Sequence, residues 1–267
     1  MTGTDDLLHR EEAFHDEWAS SVDPASVPVR EAFTLPTCPE NRWIHASLGD
    51  VRGKTVLELG AGLGEASAWF AMHGASVIAT DLSGGMLVLA RRVAELHGAS
   101  ITAVQMDGAV LALADASVDV VYGANVLHHV DQARCIAEVH RVLRPGGIAV
   151  FWDPLRYNPV INVYRRMATA VRTKDEHPLG VSDLRLLQRT FGHVEARFFW
   201  LAALGVFVWF FVGLRVHPNA ERYWKKIITD YESIAVLYGM LAALDRGLLR
   251  IPGLRWWAWN IAVVCRK

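Results

Sequence analysis

The stretch that decides the fold is Val56-Leu-Glu-Leu-Gly-Ala-Gly-Leu-Gly-Glu-Ala-Ser67. Its short apolar start is typical of a strand buried in a parallel sheet, and the pattern ASAWFAMHG that overlaps its end favours a helix. The glycines between them let the backbone approach a ligand closely and leave helix N–H groups directed at that ligand. The sequence therefore predicts a strand, a ligand-binding turn and a helix, which together open an α/β fold.

A second strand is predicted over residues 74–81, where Gly-Ala-Ser-Val-Ile-Ala-Thr-Asp ends in an acid. Asp81 follows Gly60 by 21 residues, a position suited to accepting hydrogen bonds from both hydroxyls of a ribose. A dinucleotide-binding turn has the spacing G-x-G-x-x-G, and its third glycine would stand where this chain has Glu65. A carboxylate there repels a pyrophosphate but not a cationic sulfonium. We therefore expect S-adenosylmethionine as the cofactor, with S-adenosylhomocysteine as its product, and not NAD.

Three further segments follow in order and carry a family resemblance. They are Val104-Gln-Met-Asp-Gly108, Asp119-Val-Val-Tyr-Gly-Ala-Asn-Val-Leu-His-His-Val130 and Glu138-Val-His-Arg-Val-Leu-Arg-Pro-Gly-Gly-Ile-Ala-Val-Phe151. With these, residues 51–153 resemble the class I S-adenosylmethionine-dependent methyltransferases, in particular the group that includes ubiquinone and menaquinone methyltransferases. The resemblance implies an α/β fold: a Rossmann-like, mostly parallel sheet of seven strands with helices on both faces and a helical cap.

The resemblance also implies a set of cofactor-binding residues. The glycine turn would pass under the amino-acid part of the cofactor, Asp81 would hold the ribose, and Asp107 would bind the adenine edge. Asn125 would lie near the methionyl group. Glu58 has an alternative role as a brace for the turn. The full set is Glu58, Gly60, Ala61, Gly62, Asp81, Leu82, Asp107, Gly108 and Asn125.

Histidines are the candidates for a catalytic base. Methyl transfer needs orientation, and also a base if the nucleophile must lose a proton, a role that suits histidine near neutral pH. His128 and His129 follow the predicted fourth strand, and we expect one of them to face the cleft, either as the base or to orient the cofactor or a lid. No metal is expected, because the related metal-assisted pattern has carboxylates where Asn125 and His128 stand.

His177 is the alternative base. It belongs to the run Arg172-Thr-Lys-Asp-Glu-His-Pro-Leu179, which resembles a segment of a subset of bacterial methyltransferases. In one interpretation Asp175 and Glu176 orient this histidine. In the other, these acids pair with Arg172 and have no part in catalysis.

The predicted domain organisation puts covering segments around a central core. Residues 1–50 form N-terminal lid helices, 51–201 the methyltransferase core with a cap segment over 154–190, and 202–254 an apolar helical insertion, with the final strand in 255–267. The residues expected to contact substrate or form the lid are His15, Trp18, Tyr157 and Tyr164. Plain packing is the alternative for Trp18.

The insertion begins within a run of uncharged residues, FFWLAALGVFVWFFVGL, over 198–214. A membrane-spanning helix needs about 20 apolar residues, and a sixth strand over 193–200 with a seventh over 259–265 would divide this run near Leu201. One membrane crossing would leave the last strand on the wrong side, so we expect no spanning helix. Aromatic side chains bordered by cations suit an anionic membrane surface, a lipid-like substrate or a homodimer interface.

Composition and charge exclude several classes of protein. The chain is 52% hydrophobic with a net charge of −1, which argues against disorder and against nucleic-acid binding. Residues 1–153 carry 10 Lys and Arg against 20 Asp and Glu, and residues 154–267 carry 17 against 8, so the C-terminal part is basic. Three scattered cysteines and an acidic N-terminus without an apolar core favour a cytoplasmic protein, peripheral at the inner membrane face if the insertion meets lipid.

The function predicted from these features is methyl transfer to a hydrophobic small molecule or lipid-like acceptor, with O-methylation as the leading hypothesis. C-methylation of an isoprenoid or aromatic carbon is the alternative, since aromatic side chains stabilise cationic carbon. A membrane-associated binding protein with the same fold and no turnover is the rival from another class.

Overall fold

A computed structural model describes residues 3–169 and 176–267, and in it seven strands form one sheet. The strands are β1 (Thr55–Leu59), β2 (Ser76–Asp81), β3 (Thr102–Gln105), β4 (Val118–Ala124), β5 (Leu143–Pro154), β6 (His193–Phe199) and β7 (Asn260–Arg266). Their order is β3-β2-β1-β4-β5-β7-β6. The first five run parallel, and β7 lies antiparallel between β5 and β6. The predicted fold class is confirmed.

Helices cover both faces of this sheet, which is why its central strands are apolar on both sides. Along β5, Val150 packs into one hydrophobic cluster while Ala149 and Phe151 pack into another on the opposite face. The helices are α1 (Gly3–Ser20), α2 (Glu31–Thr34), α3 (Pro39–Leu48), α4 (Glu65–Met72), α5 (Gly84–Leu96), α6 (Gln132–Val142), α7 (Pro159–Met167), α8 (Val181–Thr190), α9 (Gly205–Val208), α10 (Tyr223–Thr229) and α11 (Tyr231–Leu248). Helices α3, α4 and α5 contribute to the first cluster, and α6 and α8 to the second.

The N-terminal helix α1 is fixed against the beginning of α5. The Asp16 carboxylate accepts hydrogen bonds from the Ser83 hydroxyl and from the Gly85 N–H, the latter at 2.8 Å. These hydrogen bonds and the positive end of the helix dipole stabilise the ionised form, and they lower the pKa of Asp16. As a result α1 lies over the carboxyl end of the sheet.

The insertion between β6 and β7 packs together with α7 around a third hydrophobic cluster. The uncharged run is divided: β6 ends at Phe199, a 3-10 turn spans Ala202–Leu204, and a π-helix, Trp209–Gly213, follows α9. The buried side chains of this cluster include Phe207, Phe210, Tyr223, Ile234 and Tyr238. The final strand begins at Asn260, one residue after the predicted 259, and a 3-10 turn, Leu254–Trp257, precedes it within the predicted segment 255–267.

Asp245 connects the insertion to the sheet. Its buried carboxylate accepts hydrogen bonds from the N–H groups of Leu201, Ala202 and Ala203 at 2.6–3.2 Å. These N–H groups begin the 3-10 turn that follows β6, where they lack helical partners. The buried carboxylate thus holds α11 against the end of the sheet.

No single helix in residues 3–169 and 176–267 is long and apolar enough to cross a membrane. Helices α10 and α11 pass that test only as a pair, and they are bent by 105° relative to each other.

Candidate functional site

A cavity of about 590 Å³ opens at the carboxyl ends of β1, β2, β4 and β5. Ligands of open α/β sheets bind at this edge, and the volume is within the range of about 300–1,000 Å³ found for small-molecule sites. Four parts of the chain line the cavity: the glycine turn after β1, the ends of β2 to β5, helix α1, and the insertion.

The glycine turn has a backbone that other residues adopt with difficulty. Gly62 has a φ of 49° and donates its N–H to the Asp81 carboxylate at 2.9 Å. Gly64 has a φ of 89°, and a Cβ there would lie 2.5 Å from the Ala90 Cα. The glycines therefore bring the turn close both to the cavity and to α5.

Asp81 ends β2 and forms part of the cavity wall. Its two carboxylate oxygens accept hydrogen bonds from the backbone N–H groups of Gly62 and Ser83, both at 2.9 Å. Burial raises the pKa of Asp81, although these hydrogen bonds oppose the shift. Each oxygen keeps a further acceptor position, as binding of two ribose hydroxyls requires.

Glu58 both lines the cavity and braces the turn. Its carboxylate accepts a hydrogen bond from the Ser67 hydroxyl of α4, and its backbone oxygen accepts one from Thr80 at 2.8 Å. The side chain is only 3% exposed, and burial raises its pKa to about 8, with a contribution from the negative charges of Glu65 and Asp81. The bracing interpretation thus agrees with the contacts, and the carboxyl still lies in the cavity wall.

The carboxyl groups of Glu58, Glu65 and Asp81 form one wall of the cavity and can be compared with the groups of the expected cofactor. Among the described residues, no basic side chain lies within 4.0 Å of these three carboxyls. These carboxyl groups accept hydrogen bonds from the hydroxyls and the ammonium group of S-adenosylmethionine, and in their ionised form they attract its sulfonium, whereas they offer a pyrophosphate no cation. The residues present therefore fit S-adenosylmethionine.

The remaining predicted cofactor residues also line the cavity. They are Gly60, Ala61, Leu82, Asp107, Gly108 and Asn125. Asp107 is held by a hydrogen bond from the Ala109 N–H to its carboxylate at 2.8 Å. Asn125 follows β4 with a left-handed φ of 53°, and its N–H donates to the Trp152 oxygen at 2.8 Å.

His128 is paired with a buried carboxylate that sequence reasoning did not assign. Its Nδ1 lies 2.7 Å from Oδ1 of Asp153, and its backbone N–H donates to the same oxygen at 3.2 Å. Asp153 is fully buried at the end of β5, and burial raises its pKa while the backbone N–H groups of His128 and Leu127 oppose that shift. When Asp153 is ionised, the Nδ1 proton is held by it, and Nε2 is left with its lone pair.

A second group of ionisable side chains adjoins this pair. Nε2 of His128 lies 3.9 Å from Glu176, and Nδ1 of His129 lies 3.5 Å from Glu11 of α1. Ligand atoms of His128, His129 and Glu176 all lie within 4.8 Å of one another, a spacing that could hold a metal ion. The expectation of a site without metal stays a prediction.

Two of the sequence-predicted residues are not brought to the cavity. His177 is exposed. Its backbone N–H donates to the His128 backbone oxygen at 2.8 Å, so it supports the position of His128 through the backbone. Tyr157 is 40% exposed, and its hydroxyl accepts a hydrogen bond from the Val181 N–H at 3.2 Å on the surface. Neither is among the described residues that line the cavity. Arg172 and Asp175 lie outside the described residues.

The other predicted lid residues do line the cavity: His15, Trp18 and Tyr164. The guanidinium of Arg222, from the insertion, lies 3.7 Å from the centre of the Trp18 ring, and Trp224 packs edge-on against the same ring at 5.9 Å. Helix α1 and the insertion therefore meet over the cavity.

Sequence reasoning missed Asp153, which contacts the cavity-lining His128, and three residues that other segments bring to the cavity: Glu40, Asn260 and Arg222. Only Asp153 had a usable signal, because it ends a predicted strand at the edge where ligands bind. The others come from α3, β7 and the insertion, which are distant in sequence.

Comparisons with known proteins agree with this site. The family described as a methyltransferase domain matches residues 57–151. The ubiquinone biosynthesis O-methyltransferase of Pseudomonas paraeruginosa is 31% identical over 192 residues, which are 71% of this chain and 79% of that protein.

Solved structures share the fold. An S-adenosylmethionine-dependent methyltransferase from Mesorhizobium loti has a TM-score of 0.53 at 25% identity, over 85% of this chain and 97% of that one. Phosphoethanolamine N-methyltransferase 2 of Haemonchus contortus, solved with S-adenosyl-L-methionine, has a TM-score of 0.53 at 18% identity, over 81% of this chain and 49% of that one.

Proposed function

We propose, from the premise that this chain belongs to the class I S-adenosylmethionine-dependent methyltransferases, that it methylates a hydroxyl group of a hydrophobic acceptor. The family and the cofactor agree with the sequence prediction. The observation that carries the choice of a hydroxyl is the pairing of His128 with the buried Asp153 at 2.7 Å. A hydroxyl is a weak nucleophile until a base takes its proton, and this pair supplies one.

His128 is the proposed general base. Its Nε2 accepts the proton of the acceptor hydroxyl as the oxygen forms its bond to the methyl carbon. Bound S-adenosylmethionine supplies that methyl group on a sulfonium, and the carbon–sulfur electron pair stays on sulfur to give S-adenosylhomocysteine. Asp153 is a positioning residue, because it holds the Nδ1 proton and stabilises the imidazolium that forms.

The apolar lining of the cavity supports a hydrophobic acceptor. The phenylalanine, tyrosine and tryptophan residues that line the cavity are Phe14, Trp18, Phe33, Tyr122, Trp152, Tyr164, Trp200, Trp224 and Trp259. Such a lining binds an aromatic or prenyl group through burial of its apolar surface, at about 25 cal/mol per Å². The relative from Pseudomonas paraeruginosa, named for O-methylation in ubiquinone biosynthesis, supports the same class of acceptor.

The test uses methyl-labelled S-adenosylmethionine with lipid and aqueous extracts of the source cell. We expect label in the lipid fraction, bound to oxygen when the product is analysed by NMR. His128→Ala should lower turnover by about 10²- to 10⁴-fold with unchanged affinity for S-adenosylhomocysteine, while the exposed His193→Ala serves as a matched control. Label on carbon, or full turnover by His128→Ala, refutes the proposal. Cofactor binding without any labelled product favours the binding-protein rival.

The insertion supports a second proposal, that the protein docks peripherally on an anionic membrane. Over residues 208–257, ten large apolar side chains are more than a third exposed: Val208, Trp209, Phe211, Val212, Leu214, Val236, Met240, Leu244, Ile251 and Trp257. On α11, no charged residue is exposed between Ser233 and Leu244. Exposed apolar surface of this extent is typical of an interaction site.

Charge favours an anionic bilayer as the partner. Arg215 follows the π-helix, and Arg246 and Arg250 follow the apolar face of α11; all three are exposed. Each cation near an anionic surface contributes about 1 kcal/mol. Helix α10 of the same insertion lines the cavity through Trp224 and Ile227, so docking would bring the site close to a lipid-like acceptor.

Vesicle sedimentation tests this docking with a matched pair of valines. Val236 of α11 is 78% exposed and Val88 of α5 is 67% exposed. We expect wild type and Val88→Glu to bind phosphatidylglycerol-containing vesicles, and Val236→Glu to bind at least about tenfold more weakly. Equal binding by both variants refutes the proposal. A wild-type dimer that Val236→Glu dissociates assigns the face to a second copy of the chain.

A further inference from the structure

A buried polar cluster lies within the cavity, formed by residues from three separate elements. Glu40 of α3 is 4% exposed, Asn260 of β7 is 2% exposed, and Trp200 follows β6 with 2% exposure; all three line the cavity. The Asn260 amide donates to Glu40 Oε1 at 2.7 Å. The side chains of Glu40 and Asn260 therefore hold each other in place.

The cluster can accept further hydrogen bonds. Asn260 Oδ1 is buried and has no hydrogen-bond partner among the described residues, and no cation of the described chain lies within 4.0 Å of Glu40. A buried polar atom without a partner costs about 1–3 kcal/mol, so a native structure keeps one chiefly where a ligand or water satisfies it. The missing partner is a hydrogen-bond donor.

Backbone strain occurs at the same place. Trp200 has a φ of 66°, which is a rare conformation for a bulky residue. Hydrogen bonds hold it: its backbone oxygen accepts from the Trp259 N–H at 2.8 Å, and Asp245 holds the N–H of the next residue, Leu201. Such strain is concentrated at ligand sites, and Trp200 lines the same cavity as Glu40 and Asn260.

The cluster lies beside the proposed base but on the other face of the sheet. Asn260 pairs with Pro154 of β5, the residue after Asp153. Successive side chains of a strand point to opposite faces, so the His128–Asp153 pair and the Glu40–Asn260 cluster flank the same strand end. His128, Glu40 and Asn260 all line the cavity, so both groups are accessible to a molecule bound there.

We propose that Glu40 and Asn260 anchor a second hydroxyl group of the acceptor, at a distance from the hydroxyl that is methylated. This inference rests on the proposed function and adds the substrate class to it: a hydrophobic molecule with two hydroxyl groups. Glu40 and Asn260 Oδ1 accept the hydrogen bond of the anchoring hydroxyl, while the aromatic lining holds the body of the molecule. The two residues position the acceptor and do not take part in the chemical step.

The experiment measures the binding of phenolic probes to the protein saturated with S-adenosylhomocysteine, by titration calorimetry at one pH. The probes are 2,6-dihydroxynaphthalene and 2-naphthol, which differ by one hydroxyl at the far end. In wild type we expect loss of that hydroxyl to weaken binding at least about tenfold. In Glu40→Gln the ratio of the two dissociation constants, 2-naphthol over 2,6-dihydroxynaphthalene, should fall to about threefold or less. Asn260→Ala repeats the test if Glu40→Gln does not fold.

An equal ratio in wild type and in both variants overturns the inference. A third probe, 6-(aminomethyl)-2-naphthol, carries a cation, and tighter binding of this probe than of the diol overturns the assignment to a hydroxyl. Because none of these measurements needs turnover, they remain readable if O-methylation itself is refuted. Failure of wild type to bind S-adenosylhomocysteine would count against the proposed function.

Discussion

Asp81→Asn tests the assignment of the cofactor site most directly. The Asp81 carboxylate accepts one backbone N–H on each oxygen, from Gly62 and from Ser83, and the ribose hydroxyls would use the acceptor positions that are left. An asparagine keeps only one acceptor oxygen. Its NH₂ group must therefore face one of the two backbone N–H groups, donor against donor, and it cannot accept from the ribose.

The size of the effect follows from this count of hydrogen bonds. A hydrogen bond to a charged group contributes about 1.5–3 kcal/mol, and Asp81→Asn loses one of two such bonds and the charge. We expect the affinity for S-adenosylhomocysteine to fall by about 2–3 kcal/mol, which is about 30- to 150-fold in Kd. Asp81→Ala, which loses both bonds, should weaken binding further.

Titration calorimetry with S-adenosylhomocysteine measures this change, with thermal unfolding as a check on folding. Asp115→Asn is the matched control, because Asp115 pairs with Arg141 on the surface with its side chain 78% exposed. We expect the control to bind like wild type. A folded Asp81→Asn or Asp81→Ala protein with near-normal affinity would refute the assignment of the ribose to Asp81.

Further predictions concern stability and the choice of base. Burial raises the pKa of Glu58 from 4.5 to about 8. The contribution of protonated Glu58 to stability is therefore fully present below pH 4.5 and is lost as the pH rises through about 8. In thermal scans without ligand, Glu58→Gln should raise Tm relative to wild type more at pH 8 than at pH 5. Gly64→Ala should lower the free energy of unfolding in urea by more than Gly98→Ala, by about 1–3 kcal/mol, because both have positive φ but only Gly64 meets a neighbour, Ala90. His177→Ala should keep kcat within about threefold of wild type; a loss of about a hundredfold would restore it as the base.

The residues predicted to bind the cofactor lie together because their placement depends on local sequence. The turn after β1, the acid that ends β2 and the segment at Asp107 each follow a predicted strand, and parallel strands bring their carboxyl ends to one edge. All nine predicted cofactor residues line the cavity for this reason. The role of Glu58 could not be decided from local sequence. The structure shows both a bracing hydrogen bond from Ser67 and a place in the cavity wall.

The rest of the cavity lining was less predictable because it is assembled from distant segments. Tyr157 and Tyr164 belong to one short stretch, yet only Tyr164 faces the cavity, since the start of α7 turns the two side chains in different directions. His177 was predicted as an alternative base from the residues beside it in the sequence. In the structure its backbone N–H, and not its imidazole, contacts His128.

The fold class, the family and the cofactor could be predicted from the amino-acid sequence, because these depend on hydrophobic periodicity and on glycines and acids at fixed distances from strand ends. The tertiary structure was needed to show which histidine pairs with the buried Asp153 and which residues of distant segments line the cavity. His128 and Asp153 are 25 residues apart, and Glu40 and Asn260 are 220 residues apart. Contacts of that kind follow from the packing of strands and helices, and no spacing along the chain encodes them.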